Sequence, residues 1–254
     1  MTQPAIVSEA AESRRVALVT GGGRGSGAAV VRALADRGYS IAIHAHASLR
    51  EARAMAEALT VSGIESLAVT ANMREEGPVR AMVQRVADHF GRIDALVSCV
   101  GLRRSSAWAD LTAEDLRVHF EVNCVGTFVT AQEAGAFMVR QADGGNIVAL
   151  GEECRPPFTS GSTAAMISRS SIPALVGCLA TELAALHKRV RVNGVLHSHG
   201  ATAGHGAAEA LATRASQIPE VVQRVVWLLE HPEVNGVCLK AHEALPAFAG
   251  RPTA

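Results

Sequence analysis

Thr20-Gly21-Gly22-Gly23-Arg24-Gly25-Ser26-Gly27 stands directly after a short β-rich run, residues 16–19, and directly before a helical pattern. Glycines are needed at such a strand-to-helix turn because the chain visits positive φ there. A Cβ would also block the close approach of a phosphate. The helix start then offers free N–H groups and the positive end of its dipole to a diphosphate. The segment therefore predicts a dinucleotide-binding turn, provided that βαβ units surround it.

The surrounding sequence supplies them. Apolar runs of strand length recur at 41–43, 66–70, 95–98, 146–150, 190–195 and 236–240. Helical patterns fill the intervals at 28–37 (ended by Gly38), 50–59, 78–90, 112–140 with a break allowed, 163–187 and 219–230. Such alternation implies parallel strands joined by right-handed crossovers. The expected fold class is α/β, a doubly wound parallel sheet of the Rossmann kind, with about seven strands and helices on both faces. No domain boundary interrupts it. One domain is expected over 14–245, with loose tails at 1–13 and 246–254.

Composition narrows the partners. The 254 residues carry 24 basic and 24 acidic side chains, a balance that gives nucleic acid or an anionic membrane no electrostatic hold. The first fifteen residues lack an apolar run long enough for a signal peptide, and no later stretch offers about 18 uninterrupted apolar residues for a spanning helix. Five cysteines without a CxxC pair suit reduced thiols, so a cytoplasmic location is expected.

The TGxxxGxG spacing of the turn resembles the cofactor loop of the short-chain dehydrogenase/reductases, and the likeness continues along nearly the whole chain. "ALVSCVG" at 95–101 stands where that family has LVNNAG, with Gly101 retained. Asn123 in "FEVNCVGTF" matches the helix-borne asparagine that in relatives helps hold a water chain behind the active site. "VRVNGV" at 190–195 and "VVQRVVWLLEHPEVNGVCLKA" match the family's sixth strand and its closing helix and strand. The resemblance implies a nicotinamide cofactor at Gly21, Gly25, Gly27 and Gly101. Binding NAD normally uses an acidic residue after the second strand, and here that strand runs out as His44-Ala45-His46-Ala47-Ser48. Arg24 with His46 or Ser48 could face a 2′-phosphate instead, so NADP(H) is expected over NAD, weak or absent binding being the alternative. Asn72 stands where relatives carry an aspartate near the adenine, and Thr202 where they place a threonine near the carboxamide.

The family's chemistry is another matter. In relatives a tyrosine gives its proton to the substrate carbonyl, a lysine in YxxxK lowers its pKa, and a serine orients the carbonyl; a positioned acid is worth roughly 10²–10⁴ in rate. This chain has one tyrosine, Tyr39, which precedes the second strand, so no YxxxK exists. Counting back from Glu182 in "ATEL" puts Ala165 at the tyrosine position and Arg169 at the lysine position. Overlaying "NIVALGE" on the family's "RIVNISS" puts Glu152 at the serine position, in agreement with the first count. Alanine has no proton to give, and the longer, always-charged arginine does not replace lysine. Glu152 and Arg169 are expected to form a buried or half-buried ion pair in the former catalytic centre. Pro173, four residues after Arg169, is expected to kink the helix there. His197, His199 and His205 lack a cysteine or carboxylate at ligand spacing and are not read as a metal site. Cys154 lies beside Glu152 and Glu153, which would raise its thiol pKa, so it is not read as a nucleophile.

Three functions remain open. The favoured one is a non-catalytic subunit that supports an active ketoreductase or alcohol dehydrogenase, since the sequence resembles the degenerate partner subunits of some bacterial antibiotic pathways. Association, with such a partner or with itself, would use helices near 112–140 and 163–187, where Leu175, Cys178, Leu179, Leu183 and Leu186 recur at helical spacing. The second is an atypical NADPH-dependent carbonyl reductase with Glu152 or solvent as proton source. The third is a ligand sensor without chemistry.

Overall fold

The computed structural model describes residues 14–156, 158, 160–197 and 215–246. Its centre is a sheet of seven parallel strands: β1 Val16–Thr20, β2 Ser40–His44, β3 Ser66–Val69, β4 Ala95–Ser98, β5 Gly145–Glu152, β6 Val190–His197 and β7 Cys238–Lys240. The order is β3-β2-β1-β4-β5-β6-β7. β1, β2 and β4 are buried along their whole length, as parallel strands covered on both faces must be. The order reverses between β1 and β4, and ligands of such sheets bind beyond the carboxyl ends of the strands at that point.

Among the described residues eight α-helices cover the sheet: α1 Gly25–Ala35, α2 Leu49–Val61, α3 Glu76–Phe90, α4 Ala113–Phe120, α5 Gly126–Arg140, α6 Thr163–Arg169, α7 Ile172–Leu186 and α8 Ile218–Glu230. One core layer lies under α3, α5 and α7, where Met82, Val86, Met138, Val176 and Leu183 meet Leu18, Leu96 and Ile147. The other lies under α1, α2 and α8, where Val31, Leu34, Ala52, Val225 and Leu228 meet Val19, Ile41 and Val97. The doubly wound α/β architecture expected from the alternation is the one observed. The expected tails, Pro246 apart, lie outside the described residues.

Two departures and one expected break bear on the site. α1 begins at Gly25 rather than at residue 28, because Ser26 and Gly27 already take helical geometry and bring the helix start to the glycine loop. The long segment 112–140 divides into α4, a π-helical turn at Glu121–Val125, and α5, with Asn123 inside the turn. A Thr112–Asp115 capping box opens α4.

The segment 163–187 is not one kinked helix but two. Ser170 and Ser171 interrupt it, and Pro173 falls in the first turn of α7, where its missing N–H is not needed. The stretch 163–186 is long and apolar enough to cross a membrane by length and composition alone, yet half of it is buried in this fold and α7 packs on β5 and β6. Core helices pass the same test. The apolar stripe of α7 also divides: Leu179 and Leu183 face the core, while Cys178 and Leu186 are exposed.

Gly27 fixes how closely α1 approaches β1. A Cβ there would overlap the carbonyl oxygen of Gly21. Gly27→Ala should cost about 1–3 kcal/mol through overpacking, read as a Tm lower by roughly 2–12 °C for a chain of this size. Gly177, inside α7 with nothing within 4 Å of an added Cβ, should gain about 0.5–1 kcal/mol on conversion to alanine. Thermal unfolding of the two variants checks both signs.

Candidate functional site

A cleft of about 730 Å³ opens at the switch point, between the glycine loop and the loops that follow β2, β3 and β4. At one end Gly21 and Gly25 hold φ of 66° and 57°, which only glycine adopts without strain. No atom lies within 4 Å of where a Gly25 Cβ would be. The loop thus presents bare backbone to the cleft at the N-terminus of α1, the arrangement that takes a diphosphate. Arg24, His46 and Ser48 line the same end. Arg24 and His46 are exposed, whereas Ser48 is buried, packed where a Gly23 Cβ would otherwise stand.

Asn72 lines the cleft, but its side chain is engaged locally. Its Nδ2 donates to Glu75 Oε1 at 2.6 Å, and its Oδ1 accepts from the Arg74 amide at 3.2 Å. Both contacts shape this turn, and Asn72 remains part of the cleft lining, where an adenine contact is expected. Arg74, two residues on, also faces the cleft and pairs with Glu121 at 2.7 Å.

At the other end three charged side chains meet. Glu152, the last residue of β5, is 1% exposed. Arg169, at the end of α6, is 3% exposed and places Nε 3.3 Å from Glu152 Oε2. Arg103, from the loop after β4, grips the same carboxylate with both terminal nitrogens, at 2.9 Å to Oε1 and 2.8 Å to Oε2. The Arg169 fork is otherwise taken up by backbone carbonyls: Nη1 donates to Val100 at 3.2 Å, and Nη2 to Leu150 at 3.3 Å and Gly151 at 3.4 Å. The Nη1 end of the guanidinium lies against Gly101, where any Cβ would overlap Nη1. Gly101 is thus tied to Arg169 by packing.

The position at which the tyrosine is expected holds Ala165, buried on α6. Asn123 does not reach Arg169. Its Oδ1 accepts from the Leu102 amide at 2.6 Å, and its Nδ2 donates to the Leu102 carbonyl at 3.0 Å and to Ser168 Oγ at 2.8 Å. It therefore braces the loop that carries Arg103 against α6. Cys99, beside the cleft, has its thiol pushed up to about 12 by burial, which outweighs the nearby Arg169 charge. It stays protonated at neutral pH and is no nucleophile. Thr202, His199 and His205 lie outside the described residues. Cys154 is exposed.

Sequence reasoning missed Arg103, His44 and His119. Arg103 was findable from one consideration: a carboxylate at the end of a central strand is too costly to bury against a single cation. His119 is 1% exposed; its Nδ1 donates to the Asp115 carbonyl at 2.6 Å and its Nε2 accepts from the Arg104 amide at 3.2 Å. Nothing short of the tertiary fold shows that contact. His44, which ends β2 directly after Ile41-Ala42-Ile43, packs beneath the glycine loop.

Residues 15–210 match the short chain dehydrogenase family. An uncharacterised oxidoreductase of Methylorubrum extorquens is 31% identical over 190 residues, 75% of either chain. A 3-oxoacyl-[acyl-carrier-protein] reductase of Staphylococcus aureus is 30% identical over 179 residues, 70% of this chain and 72% of the reductase. The crystal structure of a short chain dehydrogenase from Burkholderia cenocepacia in complex with NADP is 30% identical and superimposes with a TM-score of 0.77, covering 90% of this chain and 96% of that one. Glycine loop, strand order, family match and relatives agree: this chain belongs to the short-chain dehydrogenase/reductase family.

Proposed function

We propose that the chain is a catalytically degenerate family member that binds NADP(H) and supports an active ketoreductase or alcohol dehydrogenase as a non-catalytic subunit. The observation that carries this reading is the Arg103–Glu152–Arg169 cluster, packed where the family's proton-transfer groups are expected, with Ala165 in the tyrosine's place. Among the described residues no group there is arranged to hand a proton to a carbonyl. An acid lost from such a site removes roughly 10²–10⁴ in rate. The intact fold and glycine loop remain as the functional asset.

The nucleotide end fits the cofactor. Gly25 and Gly27 keep the space and backbone approach that a diphosphate needs, and Arg24 and His46 offer positive or hydrogen-bonding groups in place of the carboxylate that selects NAD. A bound nicotinamide would supply hydride chemistry. This chain's own residues hold the nucleotide, shape the pocket and, at Glu152 and Arg169, close its floor. Relatives include 3-oxoacyl-carrier reductases, which makes an acyl-thioester reductase the natural companion. Cys178 and Leu186 on the outer face of α7 are available for that association.

The second reading keeps reductase activity and makes Glu152 the acid. Two guanidiniums within 3.3 Å of its oxygens argue against it, because opposite charges favour the ionised carboxyl, which has no proton to donate.

Two measurements test these statements. Glu152→Gln leaves the buried Arg169 and the half-buried Arg103 guanidiniums without their counter-charge and should cost about 3 kcal/mol, a Tm lower by roughly 6–12 °C; an unchanged Tm removes the cluster's structural role. Assayed alone with NADPH and a 3-oxoacyl thioester, the chain should show no turnover above solvent background. Added to the active family member with which it co-purifies, it should raise that enzyme's rate. Equal activity of the companion without it overturns the subunit reading, and turnover abolished by Glu152→Gln in a still-folded protein establishes the second reading instead.

A further inference from the structure

His44 is held at three points. Its backbone carbonyl accepts from the Gly22 amide at 2.9 Å, and its Nδ1 accepts from the Gly21 amide at 3.3 Å. On the far side of the ring, Nε2 lies 3.1 Å from the Ala71 carbonyl oxygen. A carbonyl can only accept, so Nε2 carries the proton, and Nδ1 is left as a lone-pair acceptor for Gly21. One residue at the end of β2 thereby fixes two successive amides of the glycine loop and ties them to the turn after β3. Gly21 is also the residue whose carbonyl packs against Gly27, so its orientation decides where α1 starts.

We infer that His44 is a positioning residue for nucleotide binding: its neutral imidazole sets the Gly21 peptide, and taking up a proton releases that peptide and weakens the nucleotide's hold. This deepens the reading of the cleft as an NADP(H) site and rests on it. The ring is 1% exposed, and no other residue of β2 is ionisable. A proton on Nδ1 would point at the Gly21 N–H, replacing an accepted hydrogen bond by two donors face to face.

The ionisable groups around it are mainly cationic: Arg24 on the glycine loop and His46 beyond β2, with Arg74 after β3 and paired to Glu121. Glu75 on that same turn is bonded to Asn72. Burial is the main cause that lowers the His44 pKa below the ordinary histidine value, and His46 adds to it; the Ala71 hydrogen bond acts the other way. The sign follows. Below about pH 6.5 the unfolded chain binds the proton more readily than the folded one, so stability and loop order are present at neutral pH and decline on acidification.

The test compares wild type with His44→Asn, whose amide oxygen can stand where Nδ1 does but does not titrate. In nucleotide-free protein, 15N NMR should show the Gly21 amide moving with His44 protonation as pH is lowered from about 8 to 5, with Tm falling in parallel. In His44→Asn the Gly21 amide should stay still. NADP+ affinity by calorimetry should drop about tenfold more in wild type than in the variant over that range, the size of one lost hydrogen bond. The difference cancels the titration of the 2′-phosphate itself, which falls near pH 6. A Gly21 amide that ignores His44 protonation, or moves equally in His44→Asn, overturns the inference while leaving nucleotide binding intact. Absence of NADP+ binding to both proteins at neutral pH overturns the cleft reading and the inference together.

Discussion

One buried carboxylate organises the functional end of this molecule. Glu152 ends β5 at 1% exposure, and removing such a group from water is tolerable only if cations reach it. Two do, from different parts of the chain: Arg169 from α6 and Arg103 from the loop after β4. The cluster therefore pins together three segments that the sheet alone leaves independent. Arg169 has no slack of its own, since three carbonyls and the face of Gly101 fix the rest of its fork. Whatever changes Glu152 changes the floor of the cleft, the loop at 101–104 and the end of α6 at once.

The path of the chain around the cluster follows from this. Arg169 must end its helix close to β5, and the following helix must run back along β5 and β6. A single straight helix cannot satisfy both. Ser170 and Ser171 make the turn, Ser171 Oγ donates to the Ser168 carbonyl at 2.7 Å, and Pro173 starts the next helix with a φ already suited to it. On the opposite side the π-helical turn puts Asn123 where it can hold both the amide and the carbonyl of Leu102, while His119 holds Arg104. Two side chains from one helical segment thus flank Arg103 on either side in sequence and set its reach.

Much of this was legible in the sequence, and what was not has a common cause. The parallel strands and the two helix layers follow from apolar runs alternating with helical periodicity, because burial on both faces leaves no other composition for a parallel strand. The Glu152–Arg169 contact followed from spacing within one family pattern. Arg103 did not, because its partner ends the neighbouring strand, 49 residues on in sequence, and an arginine in a loop reads as solvated. Pro173 reads as a kink because a proline signals only that an N–H is missing. Whether the helix bends or restarts depends on tertiary packing. Histidines 44 and 119 were silent for the same reason: each is placed by carbonyls and amides distant in sequence, and backbone partners leave no mark on composition.

The two ends of the cleft obey opposite physical rules, and this contrast supports the proposal that the chain binds rather than reacts. At the nucleotide end, space is kept open by glycines whose replacement would fill it, and the groups presented are amides and exposed cations. At the other end, space is filled and charge is neutralised internally: the carboxylate is taken by two guanidiniums, one guanidinium by three carbonyls, and the thiol of Cys99 is held protonated by burial. A reactive centre requires the reverse, a group whose hydrogen-bonding or proton-transfer capacity is left for the substrate. Here that capacity is spent within the protein, on holding the loop and helix that would otherwise border a substrate.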